Sequence, residues 1–151
     1  MSESKIKLSQ QVRVFVYGTL KPGEANYQRY CAGKVLNAQR AVVKGQLFTL
    51  PLGYPAITPG EYFVHGYLLS FADLNILDAL DKLEDYQPTR QMSANLYSRQ
   101  EVEIYDHQGL PLGQAWVYFM TIERVYQLKG ILQPNGWWSG CGLIAQQSYE
   151  L

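Results

Sequence analysis

Glycines inside strand-like segments are the strongest constraint on this chain. "QRAVVKGQLFTL" (Gln39–Leu50) and "YFVHGYLLSF" (Tyr62–Phe71) are rich in β-branched and aromatic residues, and each carries a Gly in its interior. An interior Gly marks a bulge or a bend, so a sheet built from such segments is expected to coil. Val12, Val14 and Val16 alternate with Arg13 and Phe15, which reads as a first strand ending at Gly18. Further strands are expected near Asn95–Tyr105 and Gln114–Met120, joined as a hairpin through "DHQG" (Asp106–Gly109). "PLGYPAITPG" (Pro51–Gly60) holds three prolines and two glycines and is read as an ordered, turn-rich loop.

One helix stands out among these strands. Ser70 and Asp73 have the spacing of a capping box, Ile76, Leu77, Leu80 and Leu83 form an apolar stripe, and Pro88 forbids continuation. A short helix is also read in "EANYQRYC" (Glu24–Cys31). The expected fold class is therefore α+β: a small mixed, curled, β-barrel-like sheet with one main helix and short flanking helices.

A chain of 151 residues with 47% hydrophobic and 17% charged residues can bury a core without metals or disulfides, which predicts one domain over 1–151. Residues 1–11 are read as a loose segment, 12–120 as the core and 121–151 as a C-terminal extension packing on it. Zero formal net charge gives no general attraction to phosphate backbones or anionic lipid, so neither nucleic acid nor membrane is an expected partner. "MSESKIKLSQQ" lacks the apolar core of a signal peptide, and no run approaches the roughly 20 apolar residues of a membrane span, so a soluble, cytoplasmic protein is expected. Cys31 and Cys141 have no metal-ligand spacing and read as reduced, small hydrophobic residues.

The chemistry-bearing positions are few. Projected at ~100° per residue, Glu84 lies about 20° from Leu77 and about 40° from Leu80, which puts a carboxylate on the apolar stripe. Desolvation and the negative end of the helix dipole would both raise its pKa, suiting it to proton transfer near neutral pH. The competing reading is a Glu84 that frays outward or satisfies a buried Arg or amide. Asp78, Asp81 and Asp85 are read as a solvated face. In "YGTLKPG", Gly18 permits close approach of a ligand, successive turn amides can point at an anion, and Thr19 adds a hydroxyl. The plain alternative is a simple turn, and no P-loop ending is present. His65 and His107 lie in unlike contexts and make no metal site or triad, and Ser98 has no nucleophile-elbow motif. Tyr54, Tyr97 and Tyr118 fall where strand or loop ends could line a pocket, although packing alone would explain them.

As an ordered set, "VFVYGTL", "GYPAI", "LDALDKLEDY", "YSRQEVEIY" and "AWVY" resemble the gamma-glutamylcyclotransferase superfamily, in its AIG2-like branch. The likeness runs over about residues 12–120, and "NGWWSG" (Asn135–Gly140) is similar to a Gly-Trp ending in that branch. The resemblance implies a small β-barrel-like fold. It matches Tyr17, Gly18, Thr19 and Leu20 to a substrate-binding loop, with Thr19 where the family commonly has Ser, and Glu84 to a catalytic carboxylate in an LDxxE pattern. It further implies intramolecular aminolysis of a γ-glutamyl amide to 5-oxoproline and a free amine, with no metal or cofactor, and Tyr97 and Tyr118 orienting the γ-glutamyl end. Two other classes stay open on the residues: a non-catalytic module binding a small molecule or peptide, and an interaction domain using the tryptophan-rich tail. The leaving amine and the oligomeric state are not specified by these residues.

Overall fold

The computed structural model describes residues 11–139. The loose segment expected at 1–11 lies, but for Gln11, outside the described residues, as do Gly140 and Cys141. Six strands, β1 (Val12–Val16), β2 (Val35–Thr49), β3 (Pro55–Phe71), β4 (Ser98–Tyr105), β5 (Pro111–Phe119) and β6 (Ile131–Leu132), form one sheet with order β3-β1-β5-β4-β2-β6. Because β2 also pairs with β3, the first five strands follow one another in a ring. The β1–β5 pairing is parallel, and every other pairing is antiparallel. Three helices accompany the sheet: α1 (Tyr27–Tyr30), α2 (Ile76–Leu83) and α3 (Ile122–Gln127). The architecture is the expected α+β class with a curled sheet and one main helix.

Two apolar cores explain the composition of β1. Phe15 and Tyr17 join Val43, Leu68, Ile104 and Val117 in a cluster fed by all five ring strands, whereas Val12, Val14 and Val16 pack with Leu69, Phe71, Ile76 and Leu80 on the α2 side. A strand buried on both faces has no polar alternation to keep. Its one charged residue, Arg13, donates to the carbonyls of Leu112 (2.6 Å) and Gln114 (3.1 Å). Curling brings strands together where side chains would collide: a Cβ on Gly66 would fall on the Val16 carbonyl oxygen and within 2.9 Å of the Phe15 ring. Gly66 is thus the strand glycine that lets β3 and β1 meet at the end of β1.

Three local expectations are corrected. The second half of "PLGYPAITPG" is strand, not loop: Pro55, Ala56, Ile57 and Thr58 pair with Thr49, Phe48, Leu47 and Gln46. Pro55 opens β3 and Pro59 falls in the register shift beside Lys44–Gln46, so neither proline removes a needed ladder donor. The Ser70–Asp73 capping box does not form. Ser70 is buried in β3 opposite Arg13, and α2 starts only at Ile76, behind Asn75, whose amide donates to Asp73 Oδ1 at 2.9 Å. Asn95 belongs to the loop before β4, where its Oδ1 accepts from the Gln87 amide (3.0 Å) and Arg90 Nε (2.7 Å). The helix α3, whose start is capped by the Thr121 hydroxyl accepting from the Arg124 amide, was not anticipated.

Candidate active site

The stripe projection places Glu84 within the helix, whereas it is the C-cap of α2, one residue past the last helical residue Leu83. Its placement is set by a tight helix ending: Asp85 takes the left-handed conformation (φ 52°), its amide donates to the Lys82 carbonyl at 3.3 Å, and the Tyr86 amide donates to the Asp81 carbonyl at 2.9 Å. The half-buried Glu84 side chain accepts no hydrogen bond from any described residue. Desolvation, with no donor to offset it, lifts its carboxyl from 4.5 to about 7.

Glu84 faces a cavity of about 230 Å³. The positions that the resemblance matches to substrate binding border the same space: Tyr17, Gly18, Thr19, Leu20, Tyr97 and Tyr118. The Tyr17–Leu20 loop follows β1 directly, and its geometry departs from a bare turn. The amides of Gly18, Thr19 and Leu20 donate to no acceptor among the described residues. Thr19 Oγ1 accepts from Asn26 Nδ2 at 2.8 Å, and the Thr19 carbonyl accepts from the Asn26 amide at 2.8 Å. That arrangement leaves the Thr19 hydroxyl proton for donation elsewhere. Gly18 also has a packing reason to be glycine, since a Cβ there would lie 2.6 Å from Pro55 Cγ.

The tyrosines have their protons committed. Tyr17 donates to the Tyr118 carbonyl (2.6 Å), Tyr97 to the Pro55 carbonyl (2.7 Å) and Tyr118 to Asp81 Oδ1 (2.7 Å). Burial pushes all three phenols well above their ordinary pKa, with the Glu84 charge adding to the shift, so they stay neutral. Tyr97 and Tyr118 can thus offer the cavity an oxygen lone pair but not a donated proton, whereas the Tyr17 oxygen is also engaged by the Ile57 backbone. Tyr54, also at the cavity, is raised by the same two causes.

Asp81 corrects the solvated-face reading. It is buried, paired bidentately with Arg99 (2.9 and 3.2 Å), and accepts from Tyr118. Arg99 in turn lies over the Trp116 ring at 4.5 Å and the Tyr86 ring at 5.5 Å. Asp78 and Asp85 are exposed, as the solvated-face reading expects, so Asp81 is the one carboxylate of the three that it misplaces. Asn26 and the Asp81–Arg99 pair were missed because each depends on partners distant in sequence or a turn away. An Asn seven residues after Thr19 carries no periodic signal.

Elsewhere, His65 sits in β3, its pKa lowered by desolvation and by Arg40. Cys31 is buried with its thiol pushed up to about 11 by desolvation, which leaves it an unreactive thiol. No three His, Cys, Asp or Glu side chains come together as a metal-binding group among the described residues. No helix among them is long and apolar enough to cross a membrane.

The chain is 31% identical over 105 residues to a gamma-L-glutamyl-butirosin B gamma-glutamyl cyclotransferase of Niallia circulans, covering 70% of this chain and 65% of that protein. Its fold is similar to that of YkqA from Bacillus subtilis (TM-score 0.61, 23% identity, 91% of this chain and 43% of that one). It is also similar to that of an AIG2-like protein from Mus musculus (TM-score 0.58, 23% identity, 78% and 84%). The chain thus spans somewhat under two thirds of the first of these relatives and under half of the second. The family described as "Gamma-glutamyl cyclotransferase, AIG2-like" matches residues 14–140, a span that contains every cavity residue named above, and the chain belongs to that family.

Proposed function

We propose that the protein catalyses the intramolecular aminolysis of a γ-glutamyl amide, releasing 5-oxoproline and a free amine, with Glu84 as the proton-transfer group. The observation that carries this reading is the coincidence, in one small cavity, of a carboxyl titrating near neutrality with three amides that have no acceptor among the described residues.

The reaction needs modest assistance. The nucleophile and electrophile belong to the same molecule, so the site has only to fold the γ-glutamyl chain into the reactive conformer and move protons. Glu84 takes a proton from the α-ammonium. The freed nitrogen attacks the γ-carbonyl carbon, closing a five-membered ring and placing negative charge on the carbonyl oxygen. As the bond to the leaving nitrogen breaks, Glu84 delivers that first proton to it, and the second proton shed by the ring nitrogen also ends on the amine, which leaves as an ammonium, so no net proton and no water is consumed. Amides of Gly18–Leu20 and the Thr19 hydroxyl serve as the cradle for the developing oxyanion or the substrate carboxylate. Tyr97 and Tyr118 oxygens, which can only accept, suit the α-ammonium or amine side of the substrate.

The direct test is release of 5-oxoproline, followed by mass spectrometry, from a panel of γ-glutamyl amides that differ in the leaving amine. Turnover of at least one is expected, and the best substrate identifies the amine. A panel that binds without any 5-oxoproline would instead favour a non-catalytic binding module. Within an active panel, Thr19→Val is expected to lower kcat/KM by ~10–100-fold through loss of one donor to developing charge. Thr19→Ser, which keeps the hydroxyl, should stay close to wild type. Equal rates for Val and Ser would remove the hydroxyl from the cradle.

A further inference from the structure

Lys21 follows the cradle directly and is almost completely buried, at 1% exposure. A buried ammonium is costly unless its charge is met on several sides. Here Nζ donates to the Trp138 carbonyl, lies 3.6 Å from Glu24 Oε2, and sits 3.8 Å above the centre of the Trp137 ring. Its backbone works on the loop at the same time, since the Lys21 amide donates to the Gly18 carbonyl at 3.1 Å and its carbonyl accepts from the Glu24 amide at 2.9 Å.

The far end of this contact is itself anchored. Trp138, at 2% exposure, belongs to the buried cluster fed by the ring strands that also contains Tyr17. The segment reaches it through the Gln133 amide donating to the Leu47 carbonyl and the Gly136 carbonyl accepting from the His65 amide, both at 2.8 Å. Trp137 lies between two cations, with Arg40 4.8 Å from its ring centre. One side chain therefore joins the loop after β1 to a segment 117 residues later.

We propose that Lys21 is the positioning residue of the cradle, clamping Gly18–Leu20 to the Trp137–Trp138 segment so that the three amides, which have no acceptor among the described residues, hold a fixed direction. The Asn26 contacts hold Thr19 from one side of the loop, and the Lys21 clamp holds its far end, where charge stabilisation depends on donors that are already in place. The clamp touches no reacting atom. Its consequence for turnover rests on the cyclotransferase reading, whereas its effect on the loop does not.

The test is ¹⁵N relaxation on the wild type and on Lys21→Met, which keeps length but removes charge. Order parameters at Gly18, Thr19 and Leu20 are expected near ~0.85 in the wild type and to fall toward ~0.6 in the variant, with Val14 and Leu69 unchanged. Unchanged cradle values, or a fall shared equally by Val14 and Leu69, would overturn the proposal. If Lys21→Met does not fold, Trp137→Leu decides in the same way, because it removes a half-buried ring and leaves the ammonium. On any γ-glutamyl amide the wild type converts, Lys21→Met should lower kcat/KM by ~10-fold through poorer alignment, without moving the pH midpoint. A wild type inactive on the whole panel would sink the cyclotransferase reading and leave the clamp to the relaxation result.

Discussion

Replacing Glu84 by Gln is expected to reduce 5-oxoproline formation by ~10²–10⁴-fold, the usual contribution of a positioned proton-transfer group. Gln preserves shape and leaves the cradle intact, so substrate should still bind. Because desolvation holds the Glu84 carboxyl at about 7, wild-type kcat/KM should rise with pH through neutrality and level above it, and this limb should vanish in the variant. Stability supplies an independent check. The folded state keeps the Glu84 proton up to about 7 while the unfolded chain loses it near 4.5. Over that window the folded state binds more protons, so this residue makes stability fall as pH rises, and above it the full penalty is present. The Gln variant should therefore gain thermal stability relative to wild type at pH 8 but not at pH 4, as read by melting curves. A variant that retains activity, or melts identically at both pH values, would show that Glu84 is neither the proton carrier nor desolvated.

What could be read from the sequence was what local pattern controls. Val12, Val14 and Val16 announced a buried strand, and the leucine stripe announced α2 and put Glu84 on its inner side, even though the helix stops one residue earlier and a left-handed Asp85 does the aiming. The Tyr17–Leu20 loop stood out because an aromatic, a glycine and a hydroxyl interrupt a good strand. Features made by distant partners were not visible. Pro55–Thr58 read as loop because two prolines outweighed a strand whose partner, Leu47, lies on β2. Ser70 and Asp73 had the spacing of a cap, but Ser70 was already taken into the β1–β3 ladder. Asp81 looked solvent-facing because nothing within its own helix reveals Arg99, which arrives from β4.

That last contact carries the second large effect. Asp81→Ala is expected to destabilise the fold by ~3 kcal/mol, near the lower end for breaking a buried ion pair because Arg99 keeps some contact with water. For a chain of this size that corresponds to a melting temperature lower by roughly 6–12 °C. Three groups lose their partner at once: the two guanidinium nitrogens of Arg99 and the Tyr118 hydroxyl, which is buried beside the cavity. The loss should also be strongly non-additive with Arg99→Met, since removing both charges leaves no uncompensated ion, and a double-mutant cycle measures that coupling. If Asp81→Ala costs less than ~1 kcal/mol, the pair behaves as an exposed surface bridge. A large coupling would mean that Asp81 ties the last turn of α2 to β4 and β5. Glu84 would then owe its position to a neighbour three residues earlier, with the structural carboxylate Asp81 engaging the Arg99 and Tyr118 donors and the proton-bearing carboxyl turned to the cavity.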